Sequence, residues 1–185
     1  DPAGDDTDDG LSPANAFQTV SRAFEVVAEL DIGPFDVTIQ LANGTTGSPN
    51  LYNENFIDYR APIGSGIVIL TGASSNVTET FVRLFDTSIA PVQGVAFGLF
   101  NQGVALRIEN LTVEYQNSIA DATLQLFRTD QNSVLELNNI AISISGTASY
   151  GLLQLHVLQD GGSITLTGNI TLNDTTYTST SGFFV

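Results

Sequence analysis

"VALRIENLTV" (residues 104–113) is followed by "SVLELNNIAI" (133–142) and then by "GSITLTGNIT" (162–171). Each stretch alternates apolar with polar residues, and each carries an asparagine in its second half. The interval is constant: Ile108, Leu137 and Leu166 are successive equivalents 29 residues apart. Leu111, Ile140 and Ile170 form a second series and Val113, Ile142 and Leu172 a third, with one extra residue near Gly168 lengthening the last step to 30. A further segment obeys the same rule, since Leu124 and Leu126 map onto Leu153 and Leu155 and then onto the region of Phe183. Alternation with period two marks strands, and self-similarity at a fixed interval of roughly 20 to 50 residues marks a solenoid whose coils cover one another's open edges. The repeat therefore predicts an all-β chain folded as a right-handed parallel β-helix. Its coils hold ~29 residues each, with three short strands per coil separated by turns.

The asparagines fit this reading. Asn110, Asn139 and Asn169 fall at the expected corner between the first and second strands of a coil, each just before an inward aliphatic residue. Asparagine tolerates the left-handed backbone that a sharp corner requires, and amides stacked at the strand spacing can hydrogen-bond in a ladder. Asn43, Asn76, Asn110, Asn169 and Asn173 also match N-x-Thr glycosylation sequons. Corner asparagines followed by strand threonines generate such matches unaided.

Upstream of the repeat the pattern holds more loosely. "DVTIQLANG" places Val37, Ile39 and Leu41 on one face, and "GIVILTG" is expected to do the same with Ile67 and Ile69. Before Val37 the period changes. Phe17, Val20, Phe24 and Val27 recur at spacings of three and four, which predicts one amphipathic helix with Arg22, Glu25 and Glu29 toward water. Ser12 ahead of Pro13 and Thr19 compete as its N-cap, and Gly33-Pro34 is the expected stop. The chain thus divides into residues 1–36, an acidic turn and capping helix, and 37–185, the β-helix.

Composition narrows the partners. Among 185 residues there are 20 acids against five arginines and no lysine, for a net charge of −15. Such a surface repels phosphate backbones and anionic membrane surfaces, so neither nucleic acid nor membrane insertion is expected. No apolar run reaches the length of a membrane-spanning helix. Cysteine is absent, which excludes disulfides and thiolate metal sites.

The opening residues carry a family likeness. "AGDDTDDGLSPANAFQTVSRAFEVVAEL" followed by "DVTIQLANGT" resembles the N-terminal capping segment of pectate-lyase-like β-helix proteins, bacteriophage tail fibres and tailspikes above all. An acidic turn, an aromatic, a helix with alanine on its packed side and a first strand ending near Asn43-Gly44 carry the likeness. Thr46 stands where the family usually has an aromatic. The resemblance implies a helix that plugs the end of a β-helix, and assembly into a homotrimer with other virion proteins.

No constellation of catalytic residues emerges. Asp5, Thr7, Asp9 and Gly10 imitate the start of a calcium loop, but Ala16 stands at its twelfth position where a glutamate is needed. Arg107 is expected over Glu136, and Glu109 over Asn138, as surface ladders. Glu114, Asp121, Asp130 and Asp160 are expected near corners. His156 alternates outward above Phe127 with no nucleophile beside it. Tryptophan is absent, so strong sugar-stacking platforms are missing, though Tyr52, Tyr59, Tyr115, Tyr150 and Tyr177 remain. No catalytic, cofactor-binding or metal-ligating residue is assigned, and no cofactor is expected. The expected role is a non-enzymatic virion component, a tail fibre, tailspike or head fibre that attaches to a host surface, located on an extracellular virion. The alternatives are a polysaccharide lyase or glycosidase acting on bacterial surface polysaccharide, and a secreted or cell-surface bacterial adhesin. The final coil ends in the apolar "FFV", so further chain or neighbouring subunits are expected to cover Leu172, Phe183 and Phe184.

Overall fold

The structure, a computed structural model, describes residues 1–54, 57–85, 94–99, 105–117, 123–130, 132–146, 152–158, 161–174 and 183–184. A short 3₁₀ turn at Pro13–Asn15 precedes the helix α1 (Val20–Ala28). The strands are β1 (Asp31–Gly33), β2 (Val37–Leu41), β3 (Asn50–Glu54), β4 (Ile57–Asp58), β5 (Ile63–Gly64), β6 (Val68–Gly72) and β7 (Thr80–Phe85). They continue as β8 (Gly94–Leu99), β9 (Ala105–Asn117), β10 (Thr123–Thr129), β11 (Val134–Gly146), β12 (Leu152–Leu158), β13 (Ser163–Asp174) and β14 (Phe183–Phe184).

Every pairing between these strands is parallel. Apart from β1 and β5, which pair with each other in a separate two-stranded sheet, they stack on three faces. The first carries β2, β6 and the leading halves of β9, β11 and β13; the second carries β3, β7 and the trailing halves of the same long strands. The third stacks β4, β8, β10, β12 and β14. The chain is a β-solenoid, as the repeat predicts, and its sequence equivalents are spatial neighbours. Leu137 lies between Ile108 and Leu166, Ile140 between Leu111 and Ile170, and Ile142 between Val113 and Leu172. Leu124 pairs with Leu153, and Leu153 with Phe183.

The coils differ from the expectation in two respects. In the later coils the first and second strands run together through the corner, giving the 12- and 13-residue strands β9, β11 and β13. The spacing of 29 also holds only late in the chain: Val37 pairs with Val68 and Val68 with Leu106, steps of 31 and 38, before Leu106 pairs with Leu135 and Leu135 with Ile164. Loops at the corners, residues 42–49 and 73–79, take up extra length while the strands keep register.

One parity is reversed. Ile67 and Ile69 were expected inward, but Val68 and Leu70 are fully buried and Ile69 lies over Thr38 on the outer side. Four consecutive apolar residues, Ile67 to Leu70, contain no alternation, so pairing with β2 decides which side is inside. Inward positions of the middle coils form one continuous core that includes Leu106, Ile108, Leu111, Val113, Leu135, Leu137 and Ile140. On β13, the outermost strand of its sheet, the equivalents Leu166 and Leu172 are 54% and 43% exposed.

The corners work through backbone sign. Asn110 and Asn139 have φ of 58° and 49°, in the left-handed region that asparagine tolerates. The Asn139 amide donates from Nδ2 to Asn110 Oδ1 at 2.8 Å and to the Ser75 carbonyl at 3.0 Å, so the expected ladder forms between these two coils. In the third coil the left-handed residue is Gly168 (φ 65°) instead of Asn169, and the register shift between Asn138 and Ile140 marks the inserted residue there.

The helix is shorter than its apolar stripe. Thr19 is the N-cap, its Oγ1 accepting from the Arg22 N–H at 3.1 Å, whereas Ser12 caps only the 3₁₀ turn and makes no side-chain bond. Phe17 therefore lies outside α1. Its ring packs against Gly10 and beneath the Arg22 guanidinium, 5.8 Å from the ring centre. At the other end α1 stops at Ala28 with Glu29 as C-cap, well before Gly33-Pro34, where Gly33 ends β1. Val20, Ala23, Phe24 and Val27 are buried, and Phe24 meets Tyr59 edge-on at 5.2 Å.

Two substitutions test this architecture. Leu137→Asp places a charge at a position 1% exposed and is expected to cost about 4 kcal/mol or more, enough to unfold the neighbouring coils. A soluble variant with unchanged melting would mean that Leu137 points outward. Asn139→Ala is expected to cost about 2 kcal/mol, from a β-carbon in left-handed backbone and lost amide bonds; Asn139→Gly removes only the bonds and should cost less. Equal losses in urea denaturation would show that the left-handed corner stores no strain.

Candidate functional site

On the outer side of the first face, residues align in columns along the solenoid. One runs Thr38, Ile69, Arg107, Glu136, Thr165 and the next Gln40, Thr71, Glu109, Asn138, Thr167. Arg107 Nε donates to Glu136 Oε2 at 2.8 Å and Asn138 Nδ2 to Glu109 Oε2 at 3.4 Å, the two ladders that the repeat predicts. Both partners of the first pair remain about a third exposed, which places it among weak surface ion pairs.

Glu114 was expected near a corner and is not there. It lies within the trailing half of β9, opposite Arg83 of β7, and accepts from Arg83 Nε at 2.6 Å while only 9% exposed. Asp130 does sit at a turn, 7% exposed and held by Arg128 at 2.9 Å, with its carbonyl accepting from the Ser133 N–H. Asp121, Asp160, Tyr150 and Tyr177 lie outside the described residues. His156 pairs with Phe127 in register as expected, and its side chain is likewise outside them.

The tyrosines that remain as aromatic candidates in the absence of tryptophan are core residues where they are described. Tyr52, Tyr59 and Tyr115 are at most 3% exposed. Burial pushes the Tyr52 hydroxyl up to about 12, although its bond to Ala42 pulls the other way, and burial also raises Tyr59. Tyr52 accepts from the Ala42 N–H at 2.8 Å, and Tyr59 donates to the Ala105 carbonyl. Phenols placed in this way fix neighbouring loops and leave no ring face for a ligand.

The acidic turn is likewise occupied internally. Asp5 Oδ1 accepts from the Thr7 N–H and hydroxyl, which holds its carboxyl below the usual range, and Asp9 accepts from Leu11 N–H. Asp6 accepts from the N–H groups of Gln18 and Thr19 and from the Thr19 hydroxyl. Among the described residues no three acids or histidines group closely enough to hold a metal ion.

Two glutamates organise the N-terminal coils without any signal from the repeat. Glu79 accepts from Asn43, Ser74 and Asn76 at 2.9 to 3.1 Å, tying loop 73–79 to the end of β2. Asn43 in turn accepts from Ala73 N–H and the Thr80 hydroxyl, so the sequon amides of Asn43, Asn76 and Asn110 all have partners inside the fold. Glu54 is 5% exposed and accepts from Val20 N–H at 2.6 Å and the Ser21 hydroxyl at 2.5 Å. Its only trace in the sequence is parity: it stands two residues after the inward Tyr52.

An open groove of about 680 Å³ separates α1 from residues 57–61. Phe24 and Ile57 form its apolar side, while Arg22, Arg60, Glu25 and Glu29 bring charges of both signs to it. Arg22 is bound to Glu25 at 3.1 Å. Comparison of the chain with family models, curated proteins and solved structures finds no match.

The buried ion pair and the surface one should respond differently to neutralisation. Glu114→Gln is expected to destabilise by about 2 kcal/mol, the scale of a charged hydrogen bond lost inside a structure. Glu136→Gln should cost ~0.2–1 kcal/mol, less at high salt. Denaturant titration at two salt concentrations checks both values.

Proposed function

We propose that this chain is a structural and attachment module of a bacteriophage tail fibre, tailspike or head fibre, trimeric and exposed on the virion, that takes part in binding a host surface polysaccharide. The observation that carries this reading is the state of the outward acids. Glu136, Glu114 and Asp130 are each bonded to an arginine, and Glu109 to an amide. Glycoside hydrolysis needs two carboxyls free to act on one bond, at separations set by the stereochemistry. Carboxylates bonded across coils, as Glu114, Glu136 and Glu109 are, brace a shaft instead. The likeness of the first forty residues to tail-fibre caps supports the virion setting, since α1 closes the end of the core as a plug should.

A polysaccharide lyase or glycosidase is the second reading, favoured by the groove beside α1, where Arg22, Arg60, Glu25 and Glu29 converge on an apolar floor. Incubation with capsular polysaccharide and lipopolysaccharide separates the two. The attachment reading expects retention of the polymer with no new reducing ends and no unsaturated products. Glu136→Gln and Glu109→Gln should retain polymer as the unmodified chain does. Cleavage that either substitution abolishes, with the fold intact, would replace this reading by the enzymatic one.

A further inference from the structure

The corner after β2 is built from the dipeptide most prone to lose its side-chain amide. An asparagine followed by glycine reacts with its own backbone. The nitrogen of the next residue attacks Cγ, ammonia leaves, and water opens the resulting succinimide to aspartate or isoaspartate. Asn43-Gly44 is the one Asn-Gly pair in the chain. The corner dictates both residues. A β-carbon at Gly44 would collide with the Ser48 carbonyl oxygen and the Asn50 nitrogen, so the close approach of backbone to backbone demands glycine. Asn43 has to accept and donate at once. Its Oδ1 accepts from the Ala73 N–H and the Thr80 hydroxyl at 2.8 Å each, and its Nδ2 donates to Glu79 Oε2 at 3.1 Å. The same contacts hold every group that the reaction has to move. To close the ring, the Gly44 nitrogen must shed its proton and swing onto Asn43 Cγ, but that N–H donates to the Glu79 carbonyl at 2.9 Å. Glu79 thus holds the pair from both sides, with its main-chain oxygen on the nucleophile and its carboxylate on the leaving amide. Ser74 and Asn76 donate to that carboxylate at 2.9 and 3.0 Å and fix it in place.

We propose that Asn43 is a deamidation site that the folded corner keeps silent, with Glu79 as the residue that restrains it. Modification then belongs to chains that are unfolded at this corner, and its extent records the time spent in that state. The product opposes refolding. A carboxylate at position 43 faces the Glu79 carboxylate where an amide donor stood, so a hydrogen bond is lost and like charges meet at close range. Isoaspartate adds a backbone methylene to a turn in which even a β-carbon at Gly44 has no room. The sequence at this corner is therefore chemically fragile and structurally required at the same two positions.

Deamidation of the full chain is followed at mildly alkaline pH by digestion and mass spectrometry. The same chain unfolded in guanidinium and a synthetic peptide of residues 41–47 run beside it. The unfolded chain should react as the peptide does. The native chain should react at least about a hundredfold more slowly, because a reaction that needs an open form runs at that form's population. Glu79→Ala should speed the native chain about tenfold, the worth of one hydrogen bond to a charged group. Leu126→Ala, which loosens the buried third face away from this corner, should leave the rate unchanged. A native rate equal to the peptide's, or equal acceleration by Glu79→Ala and Leu126→Ala, would overturn the proposal. Should Glu79→Ala fail to fold, Thr80→Val takes its place, since it removes the hydroxyl bond to Asn43 Oδ1 at nearly constant shape; no acceleration there refutes the restraint. Asn43→Asp should melt below the unmodified chain, and an unchanged melt would refute the conflict with Glu79.

Discussion

Parallel coils stay stacked only if the chain changes direction at the same height in each of them. A strand that ran one residue too far would move every following side chain to the opposite face and empty the core at that level. Between the first and second faces the later coils meet this demand within a single residue, Asn110, Asn139 or Gly168, whose left-handed backbone turns the strand without ending it. The early coils meet it with loops, and there Glu79 gathers the amides and hydroxyls of Asn43, Ser74 and Asn76 to close the corner. Loop 73–79 also reaches the later corners, since the Ser75 carbonyl accepts from Asn139 and that of Val77 from Thr112. Extra chain in one coil thus supports the tight turns of the next two.

What the sequence discloses follows from the same constraint. Parallel in-register pairing sets each residue beside its own equivalent, so Arg107 over Glu136 and Leu137 between Ile108 and Leu166 can be read by counting. Counting fails where the interval changes or the pattern is silent. The apolar run Ile67 to Leu70 has no parity of its own, and only the register with β2 assigns it. Glu114 looks like a corner acid until the 31-residue step places it opposite Arg83. Glu54 finds its donors on a helix outside the repeat, where no period can point, and Tyr52, Tyr59 and Tyr115 sit on inward positions that composition alone does not distinguish from outward ones.

The strong acidity of the N-terminus has a local explanation. Asp5, Asp6 and Asp9 accept hydrogen bonds from backbone N–H groups within the first nineteen residues, and Asp6 and Glu54 together lie at the positive end of α1. Negative charge is favourable at that end of a helix. The same charges therefore shape the turn that brings α1 over the core.

The direction of the backbone hydrogen bonds has a mechanical consequence. In a sheet the bonds lie across the strands, so in this solenoid they run along its long axis, one rung for every contact between coils. Tension along that axis loads the rungs in series, and the shaft is no stronger than the rung with the fewest bonds. The third face supplies such a rung, because β4 meets β8 through only two described residue pairs. Compression instead presses each aliphatic layer onto the next, where close-packed side chains yield little. A body built in this way transmits a push far better than a pull.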